Sequence, residues 1–275
     1  MSDSEKIFKV IFEIGAMSKN IVKALLEVSI AEAIFFVVVW YLQSVVSTGY
    51  GWYSKAFMIL IGITAILFHG KPREYGLTFG NFKFNLKWCI HLTLIFLLIW
   101  LATLLFSALF GSFTAVNPKT LLVDLVWFFM FVGFAEEMFF RGYIQSRLNE
   151  VFRKKYGKIL WINFEWSEGT MITGVFFFGL PHILVGINPF TGNVAITPAV
   201  IVVAILACFI GVIFGVIVEK TNSILVPTVL HGLIDFTAFS LGRLTSMTIS
   251  NIAVGIAMFL FFFLIFERLL LEEIN

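Results

Sequence analysis

From residue 24 onward the chain alternates long apolar stretches with short polar breaks. A membrane-spanning helix needs roughly 20 mostly apolar residues. The pattern predicts eight of them, over about 24–47, 54–70, 86–110, 121–146, 169–187, 197–218, 223–242 and 248–270. The breaks carry turn chemistry: Gly49 and Gly51, Gly70 with Pro72, Asn117-Pro118, and the run Asn188-Pro189-Phe190-Thr191-Gly192. Before the first span, Phe8, Ile11, Phe12 and Ile14 recur among Lys6, Lys9 and Glu13 at near-helical spacing. That spacing predicts an amphipathic helix at the interface. The polar start Met1 to Glu5 leads into no short apolar core closed by small residues, so it does not read as a secretory signal. No repeat, low-complexity run or soluble domain interrupts the pattern. The expected fold is all-α: one polytopic membrane domain over residues 1–275, its eight transmembrane helices enclosing a cavity.

Composition agrees. Hydrophobic residues make up 60% of the chain and charged residues 13%, against about 25% charged in a soluble domain. The mean hydropathy is +0.98. The net charge of +2 is less informative than where Lys and Arg fall. With eight spans, Lys6, Lys71, Arg147, Lys158, Lys220 and Arg268 share one side with most other basic residues, and only Lys55, Lys119 and Arg243 lie opposite. The positive-inside rule then puts both termini in the cytoplasm. Cys89 and Cys208 fall in apolar spans and read as small hydrophobes. Gly211 and Gly215, four residues apart, read as a helix-packing face.

Against this background a few polar side chains stand where hydrocarbon should be. A charge near the bilayer centre costs roughly 3 kcal/mol or more, so it normally faces a cavity and marks function. One helix carries Glu136, Glu137 and Arg141, the next Phe178, Pro181 and His182, and a third His231 and Asp235. Adjacent helical residues point about 100° apart, so the two glutamates serve different ends. Glu137 and Arg141, at i and i+4, are placed to pair, which leaves Glu136 free for the cavity. Pro181 removes a backbone donor and frees a carbonyl near Phe177, opening room to aim His182. His231 and Asp235 share a helical face: the carboxylate either fixes the imidazole tautomer or meets substrate beside it. Asn222 or Ser223 can cap this helix, with Pro227 in its first turn. His69, at an interface, and His91, beside Lys87, are assigned no role.

One free carboxylate and two imidazoles suit general-base activation of water on a carbonyl, with hydrogen-bond donors receiving the oxyanion. The same Glu136, His182 and His231 could instead ligate zinc, with water as fourth ligand. Spacing alone leaves both open. No H-E-x-x-H helix, Gly-x-Ser-x-Gly elbow, Gly-x-Gly-Asp motif or P-loop occurs. Neither a nucleotide nor a nucleic acid is an expected partner; membrane lipid is.

In order and spacing, Glu136-Glu137…Arg141, Phe178…His182 and His231…Asp235 resemble E-E-x-x-x-R, F-x-x-x-H and H-x-x-x-N/D of the type II CAAX prenyl endopeptidases, the Ras-converting enzymes, within the wider family of CAAX proteases and bacteriocin-processing enzymes. Phe139-Phe140-Arg141-Gly142-Tyr143-Ile144-Gln145 and Glu219-Lys220-Thr221-Asn222-Ser223-Ile224…Pro227 extend the likeness, which covers roughly 120–240 as a catalytic core. The resemblance implies a metal-independent glutamate protease without cofactor. Glu136 and His182 would activate water, His231 and Asp235 would hold the oxyanion, and Glu137, Arg141 and Phe178 would support them. The implied partner is a protein or peptide with a prenylated C-terminal cysteine, cut to release its last three residues. Where the best-studied members have Asn, this chain has Asp235, which donates a hydrogen bond only when protonated. Rival readings are a sibling protease acting on another membrane or leader peptide, a non-enzymatic immunity or scaffold protein, and a proton-coupled transporter.

Overall fold

A computed structural model describes residues 3–46 and 50–274, with side chains from residue 18 onward. The helices in chain order are α1 Asp3–Val45, α2 Trp52–His69, α3 Phe82–Leu109, α4 over 118–149, α5 Glu168–Gly186, α6 Pro198–Thr221, α7 Leu225–Leu244 and α8 Met247–Leu271. Six of these, α2, α3 and α5 to α8, are long and apolar enough to cross a membrane. They make this an integral multi-pass membrane protein. The backbone of α1 runs unbroken through the region expected to be amphipathic, whose side chains, like Gly49, lie outside the described residues.

The helix ends follow the local sequence. Asn81, Asn117, Thr197 and Ser246 each accept a hydrogen bond from a backbone N–H in the first turn of the helix that follows. Pro118 and Pro198 stand at first helical positions. Asn222, in the left-handed conformation at φ 48°, closes α6. Ser223 Oγ accepts from the Leu225 amide at 3.1 Å, so the two residues divide the capping of α6 and α7 between them.

The chain is mostly helical, as expected. Two small antiparallel hairpins interrupt the helices: β1 (Lys155–Ile159) with β2 (Ile162–Ser167), and β3 (Ile187–Asn188) with β4 (Asn193–Val194). Tyr156 and Trp166 pair across the first hairpin, their rings 4.8 Å apart, so it buries aromatic surface of its own. Its short alternating run is weak beside the hydropathy of the flanking spans.

The polarity of the molecule is inverted relative to a soluble protein. Leu97, Leu98, Leu101, Leu105 and Phe263 are exposed, while Asp124, Glu137, Arg141, Gln145 and Ser240 are buried. Two polar clusters mark opposite ends of the bundle. At one, Glu27 of α1 meets His69 Nε2 (2.6 Å), Tyr143 Oη (3.1 Å) and Arg147 Nε (3.0 Å). At the other, Asp124 of α4 accepts from Tyr50 Oη (2.5 Å), Ser240 Oγ (3.0 Å) and Arg243 Nε (3.1 Å).

Close helix approach depends on glycine. A Cβ on Gly174 of α5 would come within 2.5 Å of the Val212 backbone of α6, and one on Gly179 within 2.3 Å of Cys208. Gly133 of α4 and Gly232 of α7 are similarly tight, against Thr228 O and the Phe129 ring. These contacts draw α4, α5, α6 and α7 together, and these four helices carry every polar residue singled out in the motifs. The loop between α2 and α3 clamps the start of α7: Ile224 N donates to Gly76 O (3.2 Å) and Ser223 Oγ to Thr78 O (2.5 Å).

Candidate active site

Glu136 and Glu137 sit in the middle of α4, where the helix switches in and out of wide, five-residue hydrogen-bonded turns. Such turns recur at functional sites because they redirect side chains that a regular helix would stack. Glu137 is fully buried and its Oε1 accepts from Arg141 at 3.0 Å. The expected i to i+4 pair is therefore present. Arg141 is also fully buried; it donates to the Gly211 carbonyl of α6 at 3.2 Å and stacks on the Phe178 ring at 3.9 Å. One turn on, Gln145 donates to the Gly215 carbonyl at 3.0 Å. Gly211 and Gly215 thus do more than pack: without side chains, they expose two carbonyls to polar groups of α4.

Glu137 has a second partner. Its Oε1 lies 2.8 Å from His231 Nδ1, and because a carboxylate only accepts, Nδ1 carries the proton. Glu137 is thus the carboxylate bonded to His231. Asp235 Oδ2 stands 3.6 Å from Nε2 on the other side of the ring, beyond hydrogen-bond length, and Glu136 Oε2 is 3.7 Å from the same nitrogen. His231 Nε2 therefore faces a space shared by Glu136 and Asp235.

His182 follows Pro181 where α5 tightens from wide turns to three-residue turns over Leu180–Gly186. Its Nδ1 donates to the Phe178 carbonyl at 2.7 Å, one residue on from the carbonyl the proline was expected to free. In the neutral ring Nε2 then holds the lone pair and is the nitrogen left for the cavity. The Phe178 ring contacts His182 (centroids 5.0 Å), His231 (6.1 Å) and the Arg141 guanidinium, so one aromatic ring spaces three polar groups.

A cavity of about 230 Å³ opens between α1, α2, α4 and α5. Glu136 and His182 line it together with Lys55, and the remaining wall is mainly apolar, including Phe35, Phe36, Val39, Met58 and Phe140. His231 and Asp235 are set behind Glu136 and are not among its lining residues. Lys55 was not anticipated as a site residue. It stands in the first turn of α2, where sequence alone reads a loop-side cation, yet its Nζ forms an ion pair with Glu136 Oε1. The signal available in the sequence was a lone lysine at the start of an apolar span.

Among the described residues, no three His, Cys, Asp or Glu side chains gather into a set that could hold a metal ion. Glu136 is engaged by Lys55, and each imidazole has its Nδ1 bonded elsewhere.

Residues 117–237 match the family model described as type II CAAX prenyl endopeptidase, Rce1-like. The matched stretch runs from the cap of α4 to just beyond Asp235 and so contains every motif residue of the site. No curated protein matches the chain, and no solved structure does.

Proposed function

We propose, from the match of residues 117–237 to the Rce1-like type II CAAX prenyl endopeptidase family, a family of CAAX-type intramembrane proteases, that this protein removes the C-terminal tripeptide of prenylated CAAX proteins. It does so as an eight-span glutamate peptidase with both termini in the cytoplasm. The observation that carries the reading is the convergence of Glu136 and His182 on one apolar cavity, with His231 behind Glu136 and anchored through Glu137.

In this reading a water between Glu136 and His182 attacks the carbonyl carbon of the prenylated cysteine itself, and the amide nitrogen of the next residue leaves. Glu136 takes the proton from that water, and the amine leaving group later collects it. His182, held by the Phe178 carbonyl, accepts a hydrogen bond from the water through Nε2 and aims its lone pair. His231, as imidazolium, gives one N–H to Glu137 and turns the other toward the oxyanion. Asp235 joins it as a donor when protonated. The Glu137–Arg141 pair acts through His231: it fixes the ring and touches no reacting atom.

The test is cleavage of a quenched farnesylated CAAX peptide by detergent-purified protein, with Glu136→Ala alongside and with or without a zinc chelator. Chelator-resistant release of the tripeptide that disappears in Glu136→Ala is the expected result. Unchanged cleavage in Glu136→Ala overturns the site. Chelator-sensitive cleavage overturns the metal-independent mechanism, and no cleavage of any prenylated peptide overturns the substrate.

A further inference from the structure

The cavity holds a cation that the peptidase mechanism does not use. Lys55 is the only Lys or Arg among the described residues lining it. Arg141 is fully buried and spent on Glu137 and the Gly211 carbonyl. Lys55 keeps about a fifth of its side chain accessible. A lysine facing a membrane cavity is costly unless paired, and its partner here is Glu136, the one carboxylate that must be free to act as a base. Each charge neutralises the other, and while Lys55 holds Glu136 the carboxylate is a weaker base toward water.

We propose that Lys55 is the receptor for the α-carboxylate of a peptide C-terminus, and that binding this carboxylate releases Glu136. The proposal rests on the peptidase reading for its substrate: a chain cut three residues from its end always presents a carboxylate close to the scissile bond. Three extended residues span at most about 10 Å, so both groups fall within reach of one small cavity. The lysine ammonium sits on a flexible four-carbon stem and can swing from Glu136 to a nearby anion. The ion pair is exchanged one for one: Lys55 trades one carboxylate for another, the cavity takes up the peptide's negative charge, and the charge set free on Glu136 is the one the reaction needs. The position also fits. Lys55 lies in the first turn of α2, toward the Tyr50–Asp124–Arg243 end, whereas Glu136 lies mid-helix in α4. The residues beyond the scissile bond would therefore run from Glu136 toward the start of α2, past the apolar faces of Phe35, Phe36 and Val39.

The experiment compares an aliphatic tripeptide as free acid and as C-terminal amide, each titrated to millimolar concentration against the purified protein, with thermal stability as readout. The wild type should be stabilised by the acid at tenfold or more lower concentration than by the amide. Lys55→Met should lose that preference, and Lys55→Arg should restore it. Glu136→Gln, in which the carboxylate no longer competes for Lys55, should bind the acid several-fold more tightly than wild type. Equal response to acid and amide in the wild type, no response to either, or a preference surviving in folded Lys55→Met overturns the proposal. Should Lys55→Met fail to fold, weaker or unchanged acid binding by Glu136→Gln does the same. Cleavage of the farnesylated peptide is followed in parallel. Lys55-dependent acid binding without any cleavage overturns the peptidase reading and leaves the carboxylate site standing.

Discussion

Arg141 and Glu136 are both charged residues of α4, yet their removal should have different consequences. Arg141 is enclosed by Glu137, the Gly211 carbonyl and two aromatic rings, with no exposed surface. Taking away one member of a buried pair strands the other, at a cost of roughly 3–5 kcal/mol. Arg141→Met is therefore expected to lower the unfolding temperature in detergent markedly, and Glu137→Gln added to it should recover part of the loss. Glu136 opens onto the cavity and its partner Lys55 is partly accessible, so Glu136→Gln should lower the melting temperature less than Arg141→Met does. Asp235 poses a finer question, since it sits 3.6 Å from His231 Nε2 without a hydrogen bond. If it meets the oxyanion as a donor, Asp235→Asn cleaves roughly a hundredfold or more faster than Asp235→Ala, in line with the worth of one oxyanion donor. Equal loss in both variants would assign it the electrostatic role of an ionised carboxylate facing His231.

Among the elements, the contact of α5 with α6 decides whether the site is assembled. Gly174 and Gly179 of α5 leave no room for a side chain against the α6 backbone. The same stretch of α6 supplies the Gly211 carbonyl to Arg141, so helix spacing and the anchoring of Glu137 are coupled. Gly174→Val must push the helices apart; overpacking of this kind costs about 1–3 kcal/mol or more. The expected outcome is a lowered melting temperature together with at least tenfold slower cleavage, although residue 174 touches neither cavity nor substrate. Full activity in Gly174→Val would show that the α5–α6 spacing does not set the geometry of the site.

For the whole molecule, the two polar clusters are the frame. The Glu27 cluster joins α1, α2 and α4 at the end where Lys71, Arg147 and Lys220 lie, and the Asp124 cluster joins the start of α4 to the end of α7 at the opposite end. Single cysteines at positions 73 and 158 should react with a membrane-impermeant maleimide only from the cytoplasmic side, and one at 119 only from the other side. Labelling of 73 and 119 from the same side would remove the eight-span topology and the cytoplasmic termini with it.

Much of this was written along the chain. Hydropathy and turn residues determine where the helices begin and end, because in a membrane each helix must satisfy its own backbone and meet lipid with apolar side chains. The pairing of Glu137 with Arg141 was equally legible, since both partners lie on one helix at fixed spacing. What the sequence could not contain are relations between helices. Glu137 bonds His231 across 94 residues, Lys55 reaches Glu136 across 81, and the Gly211 carbonyl meets Arg141 across 70. None of these follows from periodicity, because a helical pattern records which face a residue occupies and not which helix that face will meet. Lys55 shows the consequence: local sequence reads it as an interfacial charge, and only the packing of α2 against α4 turns it into the cavity's cation.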